Sequence, residues 1–339
     1  MIIVLKHETK EQLDEIINKI RNYGLEADIS KGERRTVVGV VGNTTKIDET
    51  QFLSYDFVET VKRITKPYKL VSKEFHPYIE RHVINVGGAE IGGEKPVIIA
   101  GPCAVESLDQ IISIAKAVKK AGADMLRGGA FKPRTSPYSF RGLGKKGLKY
   151  LAAAREETGL PIVTEILDPR DVELGEKYAD IIQIGTRNMQ NYPLLDEVGS
   201  LSKPILLKRG MSATLDEFLL AAEYIAAKGN RNIILCLRGI RTFENYTRNQ
   251  ADIDSIAKLR EETYLPIIFD PSHATGIRSL VEPISKAAIG AGADGLLIET
   301  HLKPEESVVD AKQTILPETL ERIVKYTERF AKYMGKEVR

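Results

Sequence analysis

Two sets of side chains in this 339-residue sequence carry chemistry. The first is cationic: Arg127, Lys132, Arg134, Arg187, Lys208 and Arg238. The second is a thiol, an imidazole and two carboxylates: Cys103, His273, Glu299 and Asp310. Each cation taken alone reads as ordinary surface charge, because charged side chains mostly sit in water. Gathered on one rim they would repel one another unless an anion lay between them. Arginine's planar fork grips phosphate or carboxylate oxygens two at a time. Six cationic groups around one pocket are enough for two phosphorylated substrates. The second set, brought together, would bind a divalent cation. Such a mixed N/O/S set is not selective and leaves Mn²⁺, Fe²⁺, Co²⁺ and Zn²⁺ open. It lacks the tight local spacing of a zinc finger. The plainer alternatives are a buried cysteine acting as a small hydrophobe, a hydrogen-bonded core histidine, and an Asp310 that caps a turn after Val308-Val309.

The elements that must position these groups follow from apolar periodicity. Strand-like runs occur at Val97–Ala100, Met125–Arg127, Ile162–Glu165, Ile181–Gly185, Ile205–Lys208, Ile233–Leu237, Ile267–Asp270 and Leu296–Glu299. Helical stretches lie between them, for example Leu108–Ala121, Leu148–Glu157 and Leu215–Lys228. Near-continuous apolar runs are what strands buried on both faces require. Eight alternating units predict an α/β fold, a (β/α)₈ TIM barrel, with an open doubly wound sheet as the alternative. In a barrel the chemistry gathers where the strands end. The residues closing the strands here are Cys103, Arg127, Glu165, Arg187, Lys208, Arg238, His273 and Glu299, each charged or able to bind a metal.

The first 66 residues read as a separate ferredoxin-like (βαββαβ) unit. Met1–Leu5 is a strand. Lys10–Tyr23 spaces Leu13, Ile16, Ile17 and Ile20 as one helical face. Ala27–Ser30 and Arg35–Val41 are strands, Gln51–Thr60 a second helix and Val61–Ile64 a last strand. Residues 67–80, with Pro67 and Pro77, read as a linker, and 81–339 as the barrel with a leading β-hairpin over His82–Gly92. Lys145, Lys146 and Lys149 read as a solvated helix start, and Lys332–Arg339 as a solvated helix end.

Lys plus Arg is 49 and Asp plus Glu 47, a net charge of +2, which argues against a surface built to embrace nucleic acid. The two cysteines, Cys103 and Cys236, exclude a disulfide scaffold and point to a reducing, cytoplasmic setting. No run is long and apolar enough to predict a membrane partner.

The motifs Gly101-Pro102-Cys103, Arg127-Gly-Gly-Ala-Phe-Lys-Pro-Arg-Thr-Ser136, Gln183-Ile-Gly-Thr-Arg-Asn188, Leu207-Lys-Arg-Gly210, Leu237-Arg-Gly-Ile-Arg-Thr-Phe243 and Asp270-Pro-Ser-His273 resemble the 3-deoxy-D-arabino-heptulosonate 7-phosphate (DAHP) synthase family. The resemblance spans the barrel, and the N-terminal unit is similar to the regulatory arm of one subgroup. It implies an aldol-type transferase, 3-deoxy-7-phosphoheptulonate synthase, which opens the shikimate pathway with phosphoenolpyruvate and erythrose 4-phosphate as substrates. It implies that Arg127, Lys132, Arg187, Lys208 and Arg238 hold phosphoenolpyruvate, with Glu165 and Thr186 beside them. Arg134 and Thr135 would hold erythrose 4-phosphate. Cys103, His273, Glu299 and Asp310 would hold one divalent metal ion, with Lys208 as proton donor or relay. It further implies a homotetramer and feedback by Tyr or Phe at the N-terminal domain, for which Asp28, Ser30 and Gly32 on a loop are the candidates. An assembly module is the alternative for that domain. Two residues depart from the family pattern: Thr186 stands where Ala is expected, and Leu237 where Glu is expected. The sister family, 3-deoxy-D-manno-octulosonate 8-phosphate synthase, is the alternative activity. Its strand-2 loop carries Ala-Asn where this chain has Pro133, within Lys132-Pro133-Arg134-Thr135-Ser136.

Overall fold

The structure, a computed structural model, describes residues 1–32, 35–45, 47–64 and 66–334. It divides into two compact units, one of Met1–Glu80 with Glu262–Tyr264, the other of Arg81–Glu261 and the chain from Leu265.

In the first unit, β1 (Ile2–Lys6), α1 (Lys10–Asn22), β2 (Glu26–Lys31), β3 (Arg35–Val41), α2 (Thr50–Leu53) and β4 (Val58–Lys62) follow one another. The sheet order β2-β3-β1-β4, antiparallel where β1 meets β3 and β4, is the ferredoxin-like pattern. Thr9 caps α1 in a capping box with Gln12, and Leu13, Ile16 and Ile20 pack on Ile3, Leu5, Val38 and Val40. The second helix is shorter than Gln51–Thr60. It ends after Leu53, and the β-branched Val58 and Thr60 join the ladder beside β1. The segment read as a linker belongs to this unit. Tyr68, Leu70, Val71 and Phe75 are buried, and the Phe75 ring fills the place where a Cβ on Gly39 would project. Asp28 and Ser30 lie within the edge strand β2 rather than on a loop, with Gly32 just beyond it.

The second unit opens with a hairpin, β5 (Ile84–Val86) and β6 (Ala89–Ile91). Eight parallel strands follow: β7 (Val97–Gly101), β8 (Met125–Arg127), β9 (Ile162–Ile166), β10 (Ile181–Ile184), β11 (Ile205–Lys208), β12 (Ile233–Leu237), β13 (Ile267–Phe269) and β14 (Gly295–Glu299). They close into the expected barrel, with β14 pairing to β7. Ile84, Val86 and Ile91 of the hairpin pack with Val97, Ile99, Met125, Leu206 and Ile268 in one core. That apolar core lies below the C-terminal strand ends, where the candidate side chains gather. The helix Lys145–Thr158 begins at the lysines set aside above, and the last helix, Pro317–Tyr333, stops short of residues 335–339, which lie outside the described residues.

Candidate active site

The strand ends deliver the sequence candidates to one place. Arg127, Lys132, Arg134, Arg187, Lys208 and Arg238 all border one cavity of about 350 Å³, together with Thr135, Glu165, Thr186, His273 and Asp310. Two glycines make the convergence possible. A Cβ on Gly101 would lie 2.0 Å from the Arg127 carbonyl oxygen, so only glycine lets the ends of β7 and β8 close together. A Cβ on Gly185 would lie 1.8 Å from Glu165 Oε1, so glycine at the end of β10 leaves room for that carboxyl.

The cavity wall is an electrostatic network with its cations in excess. Burial pushes the Glu165 carboxyl up against the pull of Lys132, Lys208, Arg127 and Arg187, so it holds its proton more readily than an ordinary carboxyl. Burial lowers Arg238 to about 10, although Asp270 opposes this. Its Nε and Nη1 and the Nε of Arg127 are buried without a hydrogen-bond partner among the described residues. Buried donors of this kind carry a desolvation cost until an acceptor arrives, and a bound phosphate or carboxylate supplies it.

Cys103 and Glu299 do not line the open cavity; they are buried beside it. A donor atom from each of Cys103, Glu299 and Asp310 lies within 4.8 Å of the other two. His273 Nε2 stands 3.4 Å from Glu299 Oε1 and 3.7 Å from Asp310 Oδ2. The other ring nitrogen, Nδ1, is 2.7 Å from Asp270 Oδ2. An ionised carboxylate only accepts, so Nδ1 carries the ring proton. Burial lowers the pKa of His273 despite Asp270 and Glu299, which favours the neutral ring with a bare lone pair on Nε2. That lone pair faces the Glu299 and Asp310 carboxylates, which also gather with Cys103, an arrangement that calls for a cation, so the residues fit a divalent ion. Burial and Glu299 hold the Cys103 thiol protonated against Lys132 and Arg127, and a metal ion would displace that proton.

Several participants escaped the sequence reading. Asp270 Oδ2 accepts from Lys208 Nζ as well as from His273. Arg127 donates to Glu299 Oε1 at 3.1 Å and to the Pro102 carbonyl at 2.7 Å. Lys132 donates to the carbonyl oxygen of Cys103 at 3.0 Å and to its Sγ at 3.1 Å. Gln313 donates to Glu299 Oε2 at 2.6 Å, and Arg248 and Gln183 also border the cavity. Asp270 and Gln183 stood inside the motifs already quoted. Arg248 and Gln313 sit on loops with no periodic signal.

A family description, DAHP synthetase I, matches residues 71–335, and a second, DAHP synthase ferredoxin-like domain, matches residues 1–66. The chain belongs to the DAHP synthetase I family. It is 49% identical to the phospho-2-dehydro-3-deoxyheptonate aldolase of Thermotoga maritima over 339 residues, all of both chains. A crystal structure of the DAHP synthase from that organism aligns with a TM-score of 0.79 at 48% identity, covering 100% of this chain and 99% of that one. The 2-dehydro-3-deoxyphosphooctonate aldolase of Syntrophotalea carbinolica is 31% identical over 71% of this chain and 93% of its own length. The resemblance read from the motifs and the two-part fold are borne out. Of the two departures from the family pattern, Thr186 borders the cavity, while Leu237 is buried at the end of β12 and offers neighbouring Arg238 no side-chain acceptor.

The ion pairs make a prediction about acid stability. Burial alone would raise Glu299, but His273, Arg127 and Lys132 outweigh it and bring its pKa from 4.5 to about 2. A carboxylate whose folded pKa is depressed contributes stability that is complete above its unfolded pKa and is lost as the pH falls through the folded value. In metal-free protein, Glu299→Gln should therefore flatten the fall of the melting temperature between pH 4.5 and 2. An unchanged acid limb would show that these pairs do not hold the carboxylate.

Proposed function

We propose that the chain condenses phosphoenolpyruvate with D-erythrose 4-phosphate and water to DAHP and inorganic phosphate, the first step toward chorismate and the aromatic amino acids. The observation that carries this reading is one cavity that joins six cations to a Cys/His/Glu/Asp cluster. The full-length identity to a DAHP synthase supports it.

Arg127, Lys132, Arg187, Lys208 and Arg238 hold phosphoenolpyruvate, with Thr186 at its edge. Glu165 lies beside it, and because burial favours its protonated form it can face a phosphate without repelling it. Arg134 and Thr135 hold the phosphate of erythrose 4-phosphate. Carbon 3 of phosphoenolpyruvate attacks the aldehyde carbon, the new C–C bond forms, and the aldehyde oxygen takes a proton. Lys208, held by Asp270 at the cavity wall, gives or relays that proton. Water adds at carbon 2, and the resulting hemiketal phosphate releases phosphate by C–O cleavage. A divalent ion held by Cys103, His273, Glu299 and Asp310 supplies Lewis acidity for the aldehyde oxygen. Much of the remaining task is to hold two highly anionic molecules in attacking geometry, which the cationic wall performs.

The N-terminal unit is our candidate for feedback control by Tyr or Phe in a homotetrameric, cytoplasmic enzyme. Its match to a DAHP synthase ferredoxin-like domain supports this, and Asp28, Ser30 and Gly32, on or beside the edge strand β2, are our candidate effector residues.

A coupled assay of phosphate release, with and without chelator, tests the main reading. Cys103→Ala and His273→Ala should abolish condensation while leaving the fold intact. Wild-type turnover by either variant in metal-free buffer would remove the metal role, and a preference for arabinose 5-phosphate would reverse the substrate assignment. Gly185→Ala should push the flexible Glu165 side chain aside, lowering kcat/KM by on the order of a hundredfold with little change in melting temperature. Removing residues 1–70 should leave condensation but abolish inhibition by Tyr or Phe. Insensitivity of the full-length enzyme to both would remove the regulatory reading.

A further inference from the structure

Arg248 is the cavity residue whose placement is least explained by substrate binding alone. The loop that carries it is fastened to the turn that carries His273. Arg248 N donates to the Thr275 carbonyl at 2.9 Å and Asn249 N to the Ala274 carbonyl at 3.0 Å. Asn249 Nδ2 donates to the His273 carbonyl, also at 3.0 Å. Gly276 has φ +69°, and a Cβ there would lie 2.7 Å from Arg248 Cβ, so the glycine lets the arginine stem pass. The backbone of Arg248 is thus fixed, whereas its side chain remains 37% exposed and free to choose partners.

The guanidinium has partners of two kinds within reach. Its Nη1 is 3.5 Å from Asp310 Oδ1 and donates to Gln313 Oε1 at 3.1 Å. Gln313 in turn donates to Glu299 Oε2, so one arginine touches one proposed metal ligand directly and another through an amide. Arg248 also borders the anion cavity beside Arg238, whose pKa its charge helps to lower. Asp310 itself sits at φ +56°, a left-handed conformation that L-residues other than Asn and Asp seldom adopt. Such a conformation persists where the surrounding structure demands a side chain in one place.

We propose that Arg248 is a positioning residue that couples anion binding in the cavity to cation binding at Cys103, His273, Glu299 and Asp310. With no anion competing for it, the guanidinium pairs with Asp310 and offsets the negative charge that would attract a cation. A phosphorylated anion draws the guanidinium toward the cavity and releases the carboxylate, so the cation binds more tightly. Linkage makes the effect reciprocal, and the bound cation strengthens anion binding by the same factor. This inference rests on the assignment of the two sites under Proposed function.

Full-length metal-free protein, titrated with Co²⁺ against a chromophoric chelator with and without phosphoenolpyruvate, tests it. In the wild type, phosphoenolpyruvate should tighten Co²⁺ binding by on the order of fivefold. Arg248→Ala should bind Co²⁺ more tightly than wild type when no anion is present, and the effect of phosphoenolpyruvate should fall toward onefold. Arg248→Lys keeps the charge and should keep most of the coupling. The proposal is overturned if wild type shows no coupling, if Arg248→Ala retains the wild-type ratio, or if Arg248→Ala binds Co²⁺ no better than wild type without the anion. Failure of the wild type to form DAHP would strike the functional reading, whereas normal DAHP formation with unaltered coupling in Arg248→Ala would strike this inference alone.

Discussion

A buried chain of polar contacts runs from Arg127 through Glu299, His273 and Asp270 to Lys208, crossing from β8 to β14, the turn after β13, and β11. Each of the charged groups would carry a large desolvation cost alone; Arg127 offsets Glu299, and Lys208 with the His273 ring N–H offsets Asp270. Removing one member leaves a neighbour buried and uncompensated, so the chain holds its geometry as a unit. The barrel is what makes the chain possible. Closure of β14 on β7 puts Glu299 opposite Gly101, which brings Cys103 alongside. The buried side of the cavity wall, where Arg127, Glu299 and Lys208 stand, is therefore set by strand register.

The same constraint explains why a chain with a net charge of +2 can hold a strongly basic pocket. Glu299 and Asp270 are already committed to Arg127, Lys208 and His273. Burial favours the neutral form of Glu165. The remaining positive charge, on Arg187, Arg238, Arg134 and Lys132, faces the cavity with little to neutralise it. Arg238 keeps two buried donors without a hydrogen-bond partner among the described residues, next to Leu237, which brings no carboxylate. The cavity is thus held ready for a ligand that brings several anionic oxygens at once.

The strand ends were legible because a buried parallel strand must be apolar and then stop. Ile205-Leu206-Leu207 followed by Lys208 announces both a strand and its functional tip. Arg248 and Gln313 were not legible, because long loops place them and nothing periodic marks their destination. Asp270 was visible in its motif, but its double contact to Lys208 and His273 depends on β11 and β13 flanking β12, a fact of topology. In the N-terminal unit, Gln51–Thr60 read as one helix, and the pairing of Val58 and Thr60 with β1, a long-range contact, ends that helix after Leu53. Residues 67–80 looked like a linker because prolines signal loops. A proline count says nothing of Tyr68 and Phe75, whose burial depends on partners distant in sequence.

The two cysteines show how neighbours, rather than residue type, decide chemistry. Both are buried and free. Burial pushes both thiols up, Cys236 to about 12 and Cys103 as well. Cys236 packs in the apolar barrel core with Leu206 and Ile268, where a small hydrophobe is all that is needed. Cys103 instead has Lys132 at 3.1 Å and Asp310 Oδ2 at 3.4 Å. There the thiol proton is the obstacle, held by burial and by the charge of Glu299. A divalent cation would reverse that balance by replacing the proton between the sulfur and the carboxylate oxygens of Glu299 and Asp310. The same negative charge that keeps Cys103 protonated without a metal would hold the metal once the proton leaves, so proton release and metal capture at this position are one event.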